Sequence, residues 1–276
     1  MTTRRSFLFS AAAFPLLGKP AGLKLGVMDG VLGRSSRPEA VKTAKDLGLE
    51  GVQVTLGQPS KEHPGLPLED QGLQAAWRDA AAGNGIRLDA TYIDILHVDC
   101  LKNNSLARDW VARGIDITAK LNAGILMTVF FGKCSVLNSQ ERDYVADAFK
   151  ELAPEAQRRK VILGFENLLN ASDNLAVYDR VASPAFKIYY DVGNSTNVVG
   201  VDAAKEIRAL GRERICQFHF KDKGYLGEGK VNFPEILKAI GEIGFEGYAN
   251  LETGAPSGNV EADLKRNLRY LRGLMS

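Results

Sequence analysis

Val161-Ile162-Leu163-Gly164-Phe165-Glu166-Asn167 is a short, unbroken apolar run that ends on a carboxylate and an amide. A strand buried on both faces needs such a run, because neither side can carry charge until the strand leaves the sheet. Working outward, the same design recurs at Phe186–Asp191, Arg214–Phe220 and Tyr248–Glu252, each with a charged or imidazole side chain at or near its end. Upstream, Leu23–Met28, Gly51–Leu56, Ile86–Tyr92 and Gly124–Phe131 read as four further strands. Helical periodicity fills the gaps at Pro38–Leu47, Leu68–Ala82, Ser105–Leu121, Ser139–Arg159, Ser172–Val181, Asp202–Leu210, Phe233–Ile243 and Val260–Leu274. Ser139 and Ser172 read as helix N-caps, and Gly48, Gly211 and Gly244 stand where helices should stop.

Eight strand–helix units in about 250 residues predict an α/β protein with a single closed (β/α)8 TIM barrel. An open doubly wound sheet would more often carry a phosphate-binding glycine turn after its first strand. Met28-Asp29-Gly30-Val31-Leu32-Gly33-Arg34 lacks that G-x-G-x-x-G spacing. The chain has 276 residues, 35 Lys+Arg against 33 Asp+Glu, three His and three Cys. That charge balance leaves no footprint for nucleic acid. Three cysteines cannot build a disulfide framework, since one stays unpaired. Cys216 falls in an apolar strand, and Cys100 and Cys134 lie nearer loops without a nucleophile motif.

Residues 1–22 differ from the rest. Arg4 and Arg5 precede an apolar stretch from Phe7 to Leu17, too short for a bilayer span of about 20 residues but fitting a signal h-region. The run Thr3-Arg4-Arg5-Ser6-Phe7-Leu8 resembles the bacterial twin-arginine export signal. The expectation is an exported, periplasmic barrel over 23–276, or a membrane-tethered one if the segment is uncleaved, with no stable membrane span in the mature form. Removing residues 1–21 takes away Arg4, Arg5 and Lys19 and leaves a nearly neutral protein.

In a parallel barrel the C-terminal strand ends share one mouth, where the chemistry is expected. Glu166, Asp191, His219 and Glu252 are 25, 28 and 33 residues apart, about one strand–helix unit each, so adjacent strands bring all four to one centre. Three hard carboxylates and one imidazole suit a single divalent ion, Mn²⁺, Mg²⁺ or Co²⁺ first, with Zn²⁺ or Fe²⁺ as alternatives. Without an ion, three gathered carboxylates would repel and their pKa values would rise.

These residues sit in FENL (Phe165–Leu168), YDVGN (Tyr190–Asn194), HFKD (His219–Asp222), LGEGKVNF (Leu226–Phe233) and GYANLE (Gly247–Glu252). In that order and spacing the chain resembles the xylose isomerase-like barrel superfamily, specifically its sugar phosphate isomerase/epimerase group with the ketose 3-epimerases. The resemblance implies that Glu166, Asp191, His219 and Glu252 bind one metal, and that Glu166 and Glu252 also act as acid and base on opposite faces of the substrate. It implies a small-molecule partner, a sugar or polyol-derived ketone, and an EC 5 isomerase or epimerase working through a metal-stabilised enediolate. Many relatives carry D-x-x-H on strand 6, whereas this chain has Asp191-Val192-Gly193-Asn194, and Asn194 cannot carry a proton at neutral pH. Two alternatives stay open: a dehydratase of the inosose dehydratase kind, and a non-catalytic exported sugar-binding protein. A His-rich abasic-site endonuclease is disfavoured by the histidine count.

Further substrate-binding candidates are Asn194, Lys221, His97 and Asp29. Lys221 follows His219 by two and shares its strand face. His97 follows strand 3, Asp29 ends strand 1, and Asp222 reads as an acceptor in its loop. Phe130 and Phe131 read by default as core, with one of them a candidate for a wall of the sugar pocket. Trp77 and Trp110 read as helix packing, His63 as a surface loop residue, and a homo-oligomer is compatible with the whole.

Overall fold

The computed structural model describes residues 22–59 and 64–276; residues 1–21 and His63 therefore lie outside the described residues. Eight parallel strands follow one another around a closed barrel: β1 (Leu23–Met28), β2 (Gly51–Thr55), β3 (Arg87–Tyr92), β4 (Ile125–Val129), β5 (Ile162–Glu166), β6 (Phe186–Asp191), β7 (Ile215–Phe220) and β8 (Gly247–Leu251). Closure is visible in β1, which pairs Gly26 with Gly51 of β2 on one side and with Asn250 of β8 on the other. The helices are α1 (Glu39–Asp46), α2 (Gln71–Asn84), α3 (Ser105–Lys120), α4 (Ser139–Arg158), α5 (Ala171–Val181), the short α6 (Val192–Asn194), α7 (Ala203–Leu210), α8 (Phe233–Glu242) and α9 (Val260–Met275). The expected strand–helix alternation is thus observed, while α6 and the π-turn that continues it through Val199 are additions after β6.

Helix ends show where local reading misjudged the chemistry. Asn138 and Asn170, not Ser139 and Ser172, are the N-caps. Their side-chain oxygens accept from the amides of Glu141 and Asp173, both at 2.9 Å. Each asparagine holds an extended ψ of 172°, which aims its carbonyl back at the first turn. Gly48, Gly211 and Gly244 do end helices, each at a left-handed φ between 64° and 72°.

Between barrel and helices the packing is aromatic. The Phe149 ring of α4 lies 5.9 Å from Phe130, 5.6 Å from Phe165 and 4.7 Å from Phe186. Phe130 is therefore core, its default reading, and not a pocket wall. Trp77 is wholly buried beneath α2 as expected, and Trp110 donates to the Pro64 carbonyl at 3.2 Å.

Cys100 and Cys134 form a disulfide with Cα atoms 5.0 Å apart, leaving Cys216 as the free thiol. Their position near loops was legible in the sequence, but their pairing was not. They are 34 residues apart, one strand–helix unit, so the loops after β3 and β4 meet as neighbours at the mouth. Closing a loop of that length should contribute about 3–4 kcal/mol. Urea unfolding of Cys134→Ser, or of the reduced protein, is expected to show a loss of that order; an unchanged midpoint would mean that the bridge adds nothing to stability.

Candidate metal centre

Hydrogen-bond register brings the predicted site together. Asp191 of β6 and His219 of β7 are directly paired, and His219 is paired in turn with Asn250 of β8. Glu252 is the first residue beyond β8, held to the barrel by its amide bonding the Phe220 carbonyl at 3.1 Å. Glu166 closes β5 and receives the Phe130 amide on its carbonyl. One ligand atom from each of Glu166, Asp191, His219 and Glu252 lies within 4.8 Å of all the others. His219 Nδ1 is the centre: it stands 2.7 Å from Glu166 Oε1, 3.2 Å from Glu252 Oε2 and 3.9 Å from Asp191 Oδ2. Glu166, Asp191 and His219 are fully buried, while the Glu252 carboxylate is 28% exposed and faces the mouth.

Charge is balanced within this small space. Lys221 Nζ reaches Glu252 Oε2 at 2.7 Å and Asp191 Oδ2 at 2.8 Å. Burial opposes a charged imidazole at His219, but Glu166 and Glu252 together outweigh it and push its pKa up to about 10. Burial also opposes the charged form of Glu252, yet His219 and Lys221 prevail and hold it well below the usual carboxylate range. At Asp191 burial wins over the pull of Lys221 and raises the carboxyl to about 8. The expectation that repulsion would raise the carboxylates generally is thus corrected. An ammonium and an imidazolium separate them, one kept ionised and one ready to hold a proton.

Four convergent donors, three of them hard oxygens and none a thiolate, fit a divalent ion. The Asp191 side chain is further fixed by the Asn194 amide, which donates to Oδ1 at 2.7 Å from the first turn of α6. Asn194 is buried, and its Nδ2 finds no hydrogen-bond partner among the described residues.

The remaining candidates divide. Lys221 belongs to the centre as an ion-pair partner. His97 stands at the rim, its Nδ1 3.1 Å from Asp94 Oδ1. That hydrogen bond outweighs desolvation and raises its pKa. Its ring lies 5.5 Å from that of half-buried Phe131, tilted by 30°, and Lys221 Nζ lies 5.9 Å from the centre of the same Phe131 ring. Phe131, unlike Phe130, therefore neighbours two polar groups of the mouth. Asp29 does not join the cluster. It is wholly buried and accepts from the amides of Ser36 and Thr55 and from the Tyr92 hydroxyl, which makes it the anchor of its own loop. Burial raises its pKa to about 6 against those donors. Asp222 likewise folds its own loop, taking the amides of Lys223, Lys230 and Val231. Sequence reasoning missed Gln53, whose side-chain oxygen lies 2.7 Å from His219 Nε2. A glutamine inside an apolar strand was the one available signal.

The chain belongs to the xylose isomerase-like TIM barrel family, which matches residues 41–274. Among characterised relatives, it is 24% identical over 209 residues to the 2-epi-5-epi-valiolone 7-phosphate 2-epimerase of Actinoplanes sp., covering 73% of this chain and 76% of that one. Over 136 residues, 48% of either chain, it is 28% identical to the 3-oxo-isoapionate decarboxylase of Pectobacterium atrosepticum. In fold it is similar to a D-psicose 3-epimerase crystallised in the presence of D-fructose, with a TM-score of 0.76, 15% identity, and 91% and 99% of the two chains covered. An L-ribulose 3-epimerase also superposes at 0.76, with 17% identity and 92% and 94% coverage. No helix among the described residues is long and apolar enough to cross a membrane.

Protons compete with an ion for this cluster, because His219 is raised to about 10 and Asp191 to about 8. Mn²⁺ is expected to bind once per chain, to release protons, and to bind more tightly as pH rises from 6 to 8. Calorimetry in two buffers of different ionisation enthalpy measures both effects; affinity independent of pH would place the ion elsewhere.

Proposed function

We propose that this barrel is a divalent-metal-dependent isomerase or epimerase of a sugar or related α-hydroxy ketone. The observation that carries the reading is the approach of Glu166 and Glu252, from strands three positions apart, to one imidazole nitrogen in a buried cluster. An ion held by Glu166, Asp191, His219 and Glu252, with Mn²⁺, Mg²⁺ or Co²⁺ best matched to that set, would polarise a carbonyl and acidify the neighbouring C–H.

The chain's own groups then divide the proton work. Glu252 is kept ionised by His219 and Lys221 and faces the mouth, so it is the base that takes the carbon-bound proton. Glu166, which reaches the same Nδ1 at 2.7 Å from the end of β5, exchanges a proton with the opposite face of the substrate, and return of the proton there inverts the centre. Two carboxyl groups in different environments are the usual means of assigning separate acid and base roles. Lys221 steadies Glu252 at 2.7 Å. The unpartnered Nδ2 of Asn194 is suited to a substrate hydroxyl or carbonyl, while Phe131 and His97 line the approach.

A lyase reading, dehydratase or decarboxylase, has one observation in its favour: the name of the Pectobacterium relative. A dehydratase would follow the same proton abstraction with loss of a β-hydroxyl as water. A decarboxylase would remove no C–H proton and would instead lose CO₂ to give the metal-stabilised enediolate, which a site carboxylic acid would then protonate. For the N-terminal segment we propose export by the twin-arginine route, an inference supported by the Cys100–Cys134 disulfide, since such bonds persist in oxidising compartments.

Incubating the Mn²⁺-loaded protein with a panel of ketoses in D₂O should place deuterium on carbon and yield an epimer or aldose. Glu252→Gln at saturating Mn²⁺ is expected to keep the fold and lose at least about 10²-fold in exchange, in line with the worth of a general base. Full activity in that variant would overturn its role. No exchange across the panel would favour the sugar-binding alternative.

A further inference from the structure

Beneath the four site residues the barrel interior is polar, where branched apolar side chains ordinarily fill it. Gln53 of β2, Asp89 of β3, Tyr189 of β6, Gln217 of β7 and Asn250 of β8 meet there, none more than 4% exposed. An unpaired buried polar group costs about 1–3 kcal/mol, so the five largely satisfy one another, with Asp89 Oδ2 and Asn250 Oδ1 left without a partner among the described residues. Room for it is built into the backbone. A Cβ on Gly26 would stand 2.0 Å from Asn250 Oδ1, and one on Gly51 would stand 2.0 Å from Asp89 Oδ2. The β2–β3 register also slips here, from Val52 opposite Leu88 to Gln53 opposite Ala90. The residue left over is Asp89, and the bulge turns it inward.

The layer has a direction. Asp89 Oδ1 accepts from Asn250 Nδ2 and from Gln217 Nε2, both at 2.9 Å, which fixes the orientation of both amides. The Asn250 amide and the Tyr189 hydroxyl then lie 3.4 and 3.2 Å from Gln53 Oε1. Gln53 Nε2 rests against Met127 Sδ at 3.2 Å. Exchanging the two ends of the Gln53 amide would set its NH₂ against the NH₂ of Asn250 and its oxygen against a thioether, which has no proton to offer. Gln53 Oε1 is therefore held as an acceptor, 2.7 Å from His219 Nε2. An acceptor at that distance keeps a proton on Nε2, whether the imidazole is charged or neutral. The nitrogen left to lose its proton is Nδ1, the one that faces Glu166, Asp191 and Glu252.

We propose that Gln53 is a positioning residue of the metal centre: its carbonyl oxygen, aligned by the amide ladder that begins at Asp89, holds the His219 proton on Nε2 and reserves Nδ1 for the ion. The inference rests on the reading of the cluster as a metal centre and extends it to the barrel floor. Partners of a ligand's far nitrogen typically contribute 10–100-fold in metal affinity.

The test uses the full chain labelled with ¹⁵N-histidine and loaded with diamagnetic Zn²⁺, with His219 signals assigned by their loss in His219→Gln. In the unaltered protein, long-range ¹H–¹⁵N correlation should show Nε2 protonated and Nδ1 ligated. Gln53→Leu should shift the Nε2 signal away from its hydrogen-bonded position and weaken Mn²⁺ binding 10–100-fold by calorimetry. Gln53→Glu, which keeps an acceptor, should retain affinity within a few-fold. Ligation through Nε2 in the unaltered protein, or unchanged Mn²⁺ affinity in Gln53→Leu, would overturn the proposal. The unaltered protein's spectrum decides the tautomer even if a variant misfolds. Failure of the unaltered chain to bind either ion would strike the metal-centre reading itself, an outcome distinct from binding that ignores Gln53.

Discussion

Carboxylates crowded into a dry space repel one another, and the upper half of this barrel is arranged around that cost. Glu166, Asp191 and Glu252 are brought within 4.8 Å by three strand ends. The barrel answers with His219 at their centre and Lys221 spanning two of them. Each solution is specific to its position: Glu252 is ionised because both cations touch it, and Asp191 resists ionisation because burial exceeds the pull of Lys221. The same arrangement that makes the cluster tolerable gathers four ligand atoms at the spacing that would suit a divalent ion and leaves Glu252 ionised beside an Asp191 that holds its proton more readily.

The support for that centre comes from below. A wholly apolar floor would leave the far nitrogen of His219 without a partner and its ring free to turn. The polar layer costs packing, and its steric demands explain why Gly26 and Gly51 carry no side chain. Asp89, raised to about 7 by burial against the help of Asn250 and Gln217, anchors the layer as an acceptor in either protonation state.

Around the rim the βα loops are tied individually. Asp29 and Asp222 fold the loops after β1 and β7 upon themselves, and the Cys100–Cys134 bridge joins the loops after β3 and β4. The bridge sits beside the His97–Phe131 stack, with Cys134 Sγ 3.3 Å from the His97 carbonyl oxygen. The loop residues at the mouth are thus held from more than one direction. Such ties would suit the proposed active site, whose reacting groups must keep their spacing.

The sequence by itself determined the barrel and its four acid–imidazole residues. Buried parallel strands must be continuously apolar, so a carboxylate or imidazole at a strand's end is conspicuous, and one strand–helix unit is long enough to count. That is why β1 to β8 and the set Glu166, Asp191, His219 and Glu252 were legible from spacing alone. Only the tertiary structure decided what depends on contacts across the barrel. Asp29 and Asp191 both stand at the ends of apolar strands, yet Asp29 turns to the amides of Ser36 and Thr55 and anchors a loop, while Asp191 faces His219 and Lys221 in the cluster. Gln53 and Asp89 gain their partners from strands as much as 197 residues away. The pairing of Cys100 with Cys134 required two loops to meet in space. Periodicity along a chain records which side chains are buried; closure of the sheet decides which buried side chains touch.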